Sequence, residues 1–233
     1  MSNICTICAR GGSKGVKNKN IKMLLDKPLV AHSIEQAKRA GIFTHIAVSS
    51  DSEEILKISE EWGADFLIER PIELADDKSA KLPVIQHCVQ EIERNSGSKA
   101  EIIVDLDATS PLREDIDIIN TVDLLKTTTA SNVITGMPAR RNPYFNLVER
   151  NDEGYVYLSK SLPETVTRRQ DAPECFDMNA SIYAWKRGSF VNENSIFQSK
   201  TLLYEMPEER SIDIDSPLDF EFVEFIANKR GFL

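Results

Sequence analysis

Glycines and positive charges are concentrated in one short stretch near the start of the sequence, ARGGSKGVKNKN. Three glycines and four cationic side chains fall within residues 10–20. A glycine-rich turn that follows a strand exposes backbone N–H groups that can surround a phosphate. Lysine and arginine side chains then neutralise the charge of the phosphate. The stretch is therefore typical of an anion-binding loop, and the alternative interpretation is a flexible basic turn at the surface.

Two familiar phosphate-binding motifs do not occur in this stretch. A P-loop requires GxxxxGK followed by serine or threonine, and a dinucleotide-binding loop requires GxGxxG. This loop reads GGSKG instead. The sequence thus predicts an anion-binding loop of a third kind.

Strand-like and helix-like segments alternate through the first 130 residues or so. ICTICA, HIAVSS, DFLIER and EIIVDLD have strand composition, and apolar residues recur at helical spacing between them. Gly41 suits a helix C-cap, Ser52 an N-cap and Pro83 a first turn. This order predicts an α/β fold with a mostly parallel, Rossmann-like sheet and helices on both faces. Ligands of such sheets bind at the carboxyl ends of strands, where the basic loop, SSD and DLDATSPLR all lie.

The pattern changes after about residue 130. SNVITGMPA, YFNLVE, GYVYLS and IYAW have strand composition, and a long, charged, irregular segment separates the last two. We interpret residues 138–178 as an insertion within a single domain of residues 1–233, forming a lid or an oligomer contact. After it, SIDIDS predicts a strand end and PLDFEFVEFIANKR a terminal helix.

Composition restricts the kinds of partner. The formal net charge is −9, which argues against broad nucleic-acid binding and favours a small anion as the ligand of the loop. No run approaches the roughly 18 apolar residues of a membrane span, and no signal peptide is recognisable, so a cytoplasmic location is expected. Cys5 and Cys8 form a C-x-x-C pattern. Strand residues three apart point to opposite faces, so we expect buried thiols rather than a metal or redox site.

Six segments together resemble the acylneuraminate cytidylyltransferases, also called CMP-sialic acid synthetases. ARGGSKGVKNKNI resembles the opening signature of that family. SSDSEEI, ERPIELADD, DATSPLR, RRQDAPECFDMNASIYAW and DIDSPLDF are similar to later motifs of the family, in the same order. DATSPLR departs from the family's P-T-S-P-L-R at its first position. The resemblance covers residues 4–222.

The resemblance implies a nucleotidyltransferase fold and reaction. The anomeric hydroxyl of a nine-carbon 2-keto sugar acid attacks the α-phosphate of CTP, giving a CMP-sugar and pyrophosphate. It implies catalytic roles for Arg10, Lys19 and Asp215, and an Mg2+ site at Asp213 and Asp215. Mg2+ prefers such oxygen ligands, although the pair is also consistent with an acidic strand end before a helix N-cap. The nucleotide-binding residues that it implies are Arg10, Gly12, Ser13, Lys14, Asn20 and Arg70.

For the sugar acid, the resemblance implies contacts with Asp107, Arg169, Gln170 and Asn179. Arginine suits a sugar carboxylate because it can bind both oxygens. The family commonly has glutamine at the position of Asp107, and its stretch of small hydroxyl residues is altered here to KSAKLP, with Lys81 intruding. An ionised aspartate accepts hydrogen bonds but cannot donate them. Asp107 is therefore expected either to accept from an amide N–H of the sugar or to approach the metal.

DLDATSPLR, RNPYFNL and RRQDAPECFDMNASIYAWKR are closest to the bacterial branch that activates legionaminic acid. That sugar resembles sialic acid but carries an extra acylamino group and a terminal methyl. Synthesis of CMP-sialic acid or CMP-pseudaminic acid remains an alternative. The insertion and the resemblance also predict a homodimer in which one subunit's insertion borders the other's sugar pocket.

Two further alternatives lie outside this branch. One is a sugar-1-phosphate nucleotidyltransferase, although the G-x-G-x-R string typical of those enzymes does not occur here. The other is a non-catalytic, nucleotide-binding regulatory protein. Binding alone does not need the second carboxylate of DID, which argues against this last alternative.

Overall fold

The computed structural model describes residues 2–13, 15–76, 80–164 and 166–231. The strands within these ranges are β1 Asn3–Cys8, β2 Met23–Leu24, β3 Lys27–Pro28, β4 His45–Ser50, β5 Phe66–Glu69, β6 Ile102–Leu106, β7 Asn132–Pro138, β8 Val148–Arg150, β9 Val156–Leu158, β10 Phe176–Lys186 and β11 Thr201–Glu205. The α-helices are α1 Leu29–Ala40, α2 Glu53–Glu61, α3 Lys81–Ser96, α4 Asp115–Thr127, α5 Arg187–Val191 and α6 Pro217–Arg230.

Seven of the strands form one sheet in the order β11-β7-β10-β6-β1-β4-β5. Neighbouring strands are parallel, except that β10 runs antiparallel to both β6 and β7. β1 lies near the centre because its near-continuous apolar run can be buried on both faces, as in other parallel sheets. The predicted mostly parallel α/β sheet is confirmed.

Helices cover both faces of this sheet. α1, α2 and α4 pack on one face, in a core that contains Cys5 and Val30. α3 and α5 pack on the other face, with Ile85 and Phe190 in the core and Cys8 against it. The two thiols of the C-x-x-C pattern therefore face opposite sides, as predicted. Cys5 is buried as predicted, whereas Cys8 is partly exposed. Desolvation raises the pKa of both thiols, which keeps them protonated.

The predicted helix boundaries are confirmed at three positions. α1 ends at Gly41, whose φ of 65° is left-handed. Ser52 caps α2, its hydroxyl accepting a hydrogen bond from the Ile55 N–H at 3.4 Å. Pro83 lies in the first turn of α3, where its missing N–H costs no hydrogen bond.

Helix α6 holds three segments of the ligand-binding edge together. Ser216 and Asp219 form a capping box at its start. The helix then packs against Val16 from the basic loop, Leu112 from the turn after β6 and Ile214 from the DID segment. These segments are distant in sequence, so the position of α6 fixes how they face one another.

The SIDIDS segment is not the strand end that the sequence predicted. Residues 211–215 have no regular secondary structure, because their backbone bonds lead elsewhere. The Ile214 N–H donates to the Thr109 carbonyl at 3.0 Å, and the Asp215 N–H donates to the Asp219 carboxylate at 3.1 Å. The segment is thus an irregular connection fixed to the turn after β6 and to the cap of α6.

Between β7 and β10 the chain leaves the sheet. It forms the hairpin β8–β9, which is separate from the seven-stranded sheet in the described ranges. Several large apolar side chains of this segment are exposed: Leu147, Val148, Tyr155, Val156, Tyr157, Leu158 and Leu162. Within the described part of the chain, no helix has the length and apolar character needed to cross a membrane.

Candidate active site

A cavity of about 330 Å³ lies at the carboxyl ends of β1, β5 and β6. Parallel strands bring their carboxyl ends to one edge of the sheet, so residues far apart in sequence meet there. Lys14, which was also predicted to bind the nucleotide, lies outside the described residues. The predicted site residues that line the cavity are Arg10, Gly12, Ser13, Lys19, Asn20, Arg70, Asp107, Asp213 and Asp215.

The glycines of the basic loop allow it to pass close to its neighbours. The Gly11 N–H donates to Asp51 Oδ1 at 2.9 Å, which ties the loop to the end of β4. A β-carbon at Gly15 would lie 1.9 Å from the Asp215 carbonyl oxygen, so only glycine fits there. A β-carbon at Gly12 would meet nothing within 4 Å. The loop is therefore packed at Gly15 and open at Gly12, where it lines the cavity.

Lys19 joins the basic loop to the DID segment. Its Nζ donates to the Ile214 carbonyl and lies 3.3 Å from Asp215 Oδ1. The side chain of Asp215 is 80% exposed, so its carboxylate can exchange the lysine for another cation. Lys19 is the more enclosed partner, and it remains at the cavity wall.

Asn20 and Arg70 are fixed by groups of the fold itself. Asn20 Nδ2 donates to the Arg10 carbonyl at 2.9 Å. Arg70 is buried and donates to the Ser49 carbonyl at 2.8 Å and to its hydroxyl at 3.3 Å. Both side chains line the cavity in a fixed position, which suits the binding of a rigid group such as a base or ribose.

Asp213 is the less exposed carboxylate of the DID pair. Its Oδ1 contacts the Thr109 hydroxyl, whose other partner is Asp107 Oδ1 at 2.8 Å. Burial and the negative charge of Asp107 raise the pKa of Asp213 to about 6. A metal ion would compete with this protonation, since metal ligands must be ionised.

Asp213 and Asp215, the DID pair, suit a magnesium ion whose other ligands are phosphate oxygens of a bound nucleotide and water. Among the described residues, no group of three or more histidine, cysteine, aspartate or glutamate side chains is arranged to hold a metal. Asp213 and Asp215 both line the cavity. Mg2+ usually takes one or two carboxylates and completes its shell with phosphate oxygens and water. Two carboxylates in the same cavity as the basic, glycine-rich loop match that requirement.

Asp107 is held in place by three hydrogen bonds. Its Oδ1 accepts from the Thr109 N–H at 3.1 Å and from the Thr109 hydroxyl, and its Oδ2 accepts from Lys81 Nζ at 2.7 Å. Burial on its own would raise the pKa of Asp107. The charge of Lys81 and these hydrogen bonds reverse that effect, so the pKa lies well below its usual range. Asp107 is therefore ionised at the cavity wall.

Arg113, which closes the SPLR string, is buried beneath the same turn. Its guanidinium donates to the carbonyls of Asp107 and Ser181. It also donates to the Ser33 hydroxyl at 2.5 Å and to the Gln36 side chain at 2.8 Å. These neutral partners show that Arg113 fixes the backbone of the turn that carries Asp107.

Arg169 and Gln170 lie in a different place. They line a second cavity of about 450 Å³ together with Ala139 and Asn142. The Arg169 guanidinium donates to the Ala139 carbonyl at 2.5 Å. Within one chain, these two residues are not brought into the cavity that contains the other predicted residues.

Asn179 is buried at a bulge in β10, next to Ala180 with its φ of 53°. Its Oδ1 accepts from the Thr135 hydroxyl at 2.6 Å and from the Ser181 N–H at 3.1 Å. Its Nδ2 donates to the Ser211 hydroxyl at 3.0 Å. The amide thus stabilises the bulge. Direct contact with a sugar stays a prediction that this arrangement does not support.

Among the cavity residues that had no assigned role in the sequence interpretation, two contact the Asp107 carboxylate: Thr109 and Lys81. Thr109 lies inside a motif that matches the family, so the sequence alone does not single it out. Its contacts with the carboxylates of Asp107 and Asp213 do so in the structure. Lys81 was recognised as a departure from the family, as was Asp107, and the structure places these two departures 2.7 Å apart. The sequence offers one sign of this contact: the two departures from the family motifs, Lys81 and Asp107, have opposite charges.

Comparison with known proteins gives a consistent result. The family model described as cytidylyltransferase matches residues 4–232. Two relatives are each 46% identical over 228 residues, covering 98% of this chain and 96% of theirs. They are post-translational flagellin modification protein B of Campylobacter coli and CMP-N,N'-diacetyllegionaminic acid synthase of Campylobacter jejuni. A solved CMP:2-keto-3-deoxy-manno-octonic acid synthetase complexed with CTP shares the fold, with a TM-score of 0.70, 16% identity and coverage of 98% and 99% of the two chains.

Proposed function

This chain belongs to the cytidylyltransferase family, and we propose that it transfers CMP from CTP to the anomeric hydroxyl of N,N'-diacetyllegionaminic acid. In this reaction an oxygen–phosphorus bond forms at the α-phosphate, and the bond from that phosphorus to the bridging oxygen of the β-phosphate breaks. Pyrophosphate leaves, and the hydroxyl proton passes to a base. The observation that carries the proposal is that one cavity contains both the basic loop and the DID carboxylates.

The basic loop is the proposed site of the triphosphate. Gly12 leaves space beside the cavity, and Ser13 lines it with a hydroxyl donor. Arg10 and Lys19 bring positive charge to the same wall. Such donors stabilise the charge that develops on departing pyrophosphate, which is the main requirement of phosphoryl and nucleotidyl transfer. Asn20 and Arg70 are proposed to hold the nucleoside end.

Asp213 and Asp215 are the residues that would hold Mg2+. When bound, the ion would neutralise phosphate charge and orient the triphosphate. Asp215 is also proposed to help accept the proton of the attacking hydroxyl, because its exposed carboxylate lies beside the loop. In the structure Lys19 holds Asp215 in place, and we propose that it turns to the phosphates when substrate binds.

The choice of sugar rests on the turn after β6. Asp107 is an ionised acceptor at the cavity wall, and a diacylamino sugar offers one more amide N–H than sialic acid. The 46% identical relative from Campylobacter jejuni carries the name of a synthase for that sugar. We therefore propose that Asp107 contacts the amide end of the sugar. The carboxylate end of the sugar would then lie nearer the metal.

A homodimer is proposed to complete the sugar pocket. Arg169 and Gln170 suit a sugar carboxylate but lie in the second cavity, within the inserted segment. The same segment exposes a cluster of apolar side chains on the hairpin β8–β9. Clusters of this kind in soluble proteins commonly mark contact surfaces. The proposed partner would bring its inserted segment against the cavity of the first subunit.

A single assay tests the proposed reaction. Pyrophosphate release from CTP is measured with N,N'-diacetyllegionaminic, N-acetylneuraminic and pseudaminic acids, and with a panel of sugar 1-phosphates. We expect the highest kcat/KM for the legionaminic acid. Pyrophosphate release with sugar 1-phosphates but with none of the sugar acids would show that the acceptor is a sugar 1-phosphate. CTP binding without turnover of any acceptor would instead indicate a nucleotide-binding regulatory protein.

A further inference from the structure

Lys81 occupies an unusual position for a lysine. It is the first residue of α3, and its side chain, 25% exposed, lines the cavity. Its Nζ lies 2.7 Å from Asp107 Oδ2, 3.2 Å from Asp105 Oδ2 and 4.7 Å from the centre of the Tyr183 ring. Burial alone would lower the pKa of Lys81, but the charges of Asp107 and Asp105 raise it above its usual value. The ammonium is therefore charged and surrounded.

The two carboxylates that hold Lys81 differ in what else they can reach. Asp105 is fully buried, and its Oδ1 accepts from the Thr6 hydroxyl at 2.7 Å. Asp107 is 24% exposed and lines the cavity. Lys81 thus pairs with Asp105, a carboxylate of the core, and at the same time orients Asp107, a carboxylate of the cavity.

The acceptor positions of Asp107 can be counted. Each carboxylate oxygen offers about two acceptor positions. Thr109 occupies both positions on Oδ1, through its N–H and through its hydroxyl when the single hydroxyl hydrogen points to Asp107 rather than to Asp213, and Lys81 occupies one on Oδ2. With respect to the described residues, one acceptor position on Oδ2 remains for a ligand in the cavity. A carboxylate bound in this way is also a poor metal ligand, because a dication on Oδ2 would be repelled by the adjacent ammonium.

We propose that Lys81 determines the sugar specificity of the site by holding Asp107 as a fixed, single-position acceptor for an amide N–H of the diacylamino sugar. The inference rests on the proposed function and assigns to that reaction a positioning residue on α3. Lys81 also offsets part of the negative charge of Asp105 and Asp107, which reduces the repulsion of a sugar carboxylate and a triphosphate that enter the same cavity. A sugar methyl at that point could not replace the N–H donor of the substrate, because it has no hydrogen to donate to the carboxylate.

A purely structural role for Lys81 makes a different prediction. If the lysine only neutralised Asp105, its removal would destabilise the protein and lower activity on every sugar alike. A specificity role changes the ratio of kcat/KM values for two sugars. That ratio does not depend on the fraction of folded protein, so it separates the two roles.

The test compares N,N'-diacetyllegionaminic acid with N-acetylneuraminic acid at saturating CTP. In Lys81→Met we expect the preference for the diacylamino sugar to fall by about tenfold or more, mainly through KM, because a site built around a hydrogen bond loses its discrimination with it. The KM for CTP should change much less than the KM for the sugar. Lys81→Arg, which keeps the charge, should retain part of the preference.

Two further variants control this experiment. Lys27→Met removes a lysine of equal exposure, 25%, that pairs with Glu35 at 2.8 Å outside the cavity, and it should leave the ratio unchanged. The double variant Lys81→Met/Asp105→Asn keeps the core neutral while releasing Asp107, so it remains informative if the single variant does not fold. An unchanged ratio in both Lys81 variants that lack the ammonium would overturn the inference. No turnover of either sugar by the wild type would instead overturn the proposed function, and the inference with it.

Discussion

The cavity and the segment between β7 and β10, residues 138–178, which we propose is an inserted segment, distribute their side chains in opposite ways. In the cavity, charged groups such as Arg70 and Asp107 are enclosed and held by several hydrogen bonds. In the inserted segment, large apolar groups such as Tyr155 and Val156 face the solvent. Enclosed charges that are held by several hydrogen bonds keep a fixed geometry, whereas exposed apolar groups offer area to a partner. In the cavity, activity should therefore depend on individual polar contacts. In the inserted segment, it should depend on the total apolar area that is available to a partner.

The largest effect is expected from Asp215→Asn. The change keeps the size of the side chain and removes the charge that would hold Mg2+. We expect kcat to fall on the order of a thousandfold, as for the loss of other transition-state charge stabilisers. Because this side chain is 80% exposed, the unfolding temperature should hardly change. Wild-type turnover in excess EDTA would contradict the assignment of the metal to the DID pair.

A smaller effect is expected from the loop. Lys19→Ala removes a cation at the cavity wall, and one charge-assisted contact with phosphate contributes about 1.5–3 kcal/mol, or roughly ten- to a hundredfold in kcat/KM for CTP. Lys17→Ala is the matched control, because Lys17 is exposed and does not line the cavity. If kcat/KM for CTP falls only slightly and equally in both variants, the loop is a basic surface turn and not a phosphate-binding site.

The requirement for Mg2+ should depend on pH, because the pKa of Asp213 is raised to about 6. A protonated carboxyl does not bind a metal, so the apparent affinity for Mg2+ should rise about tenfold between about pH 5 and pH 7 and then level off. Asp107→Asn removes one of the causes of the raised pKa, so the midpoint should move to lower pH. Titration of activity with Mg2+ across this range, in both proteins, measures the shift. A requirement that is the same at all pH values would argue against Asp213 as a ligand.

The smallest effect per residue is expected in the inserted segment. Tyr155→Ser combined with Val156→Thr should weaken self-association and raise the KM for the sugar about fivefold, or about 1 kcal/mol, with little change for CTP. Analytical ultracentrifugation and kinetics measure the two quantities. Phe225→Ser, at a similarly exposed aromatic position on α6, is the control. If the double variant self-associates like the wild type, the hairpin is not the contact surface.

The same contrast explains what the sequence could predict. Apart from the short strands β2 and β3, which were not predicted, the strands and α-helices up to residue 127 follow from apolar periodicity and end residues such as Gly41, because burial on two faces leaves a clear pattern. β11 was not predicted, and it lies at the edge of the sheet, where burial is weaker. SIDIDS was predicted as a strand end, but its backbone bonds lead to Thr109 and to the cap of α6. Alternation within a segment carries no information about such partners.

The candidate site shows the same limit. Motif resemblance found the cavity residues that lie in local strings, including Arg10, Lys19 and Asp213. It did not find the pair of Lys81 and Asp107, because that contact depends on how the start of α3 meets the end of β6. Ion pairs between elements are a property of packing, and no spacing within either segment reveals them.

The bond between Lys19 and Asp215 joins positions separated by 196 in the chain. During translation, the loop emerges from the ribosome long before the carboxylates that complete it. A nascent chain that has already formed β1 and α1 therefore displays a lysine whose partner does not yet exist. Chain truncations before the DID segment lack both the carboxylates and α6, so they should not turn over CTP.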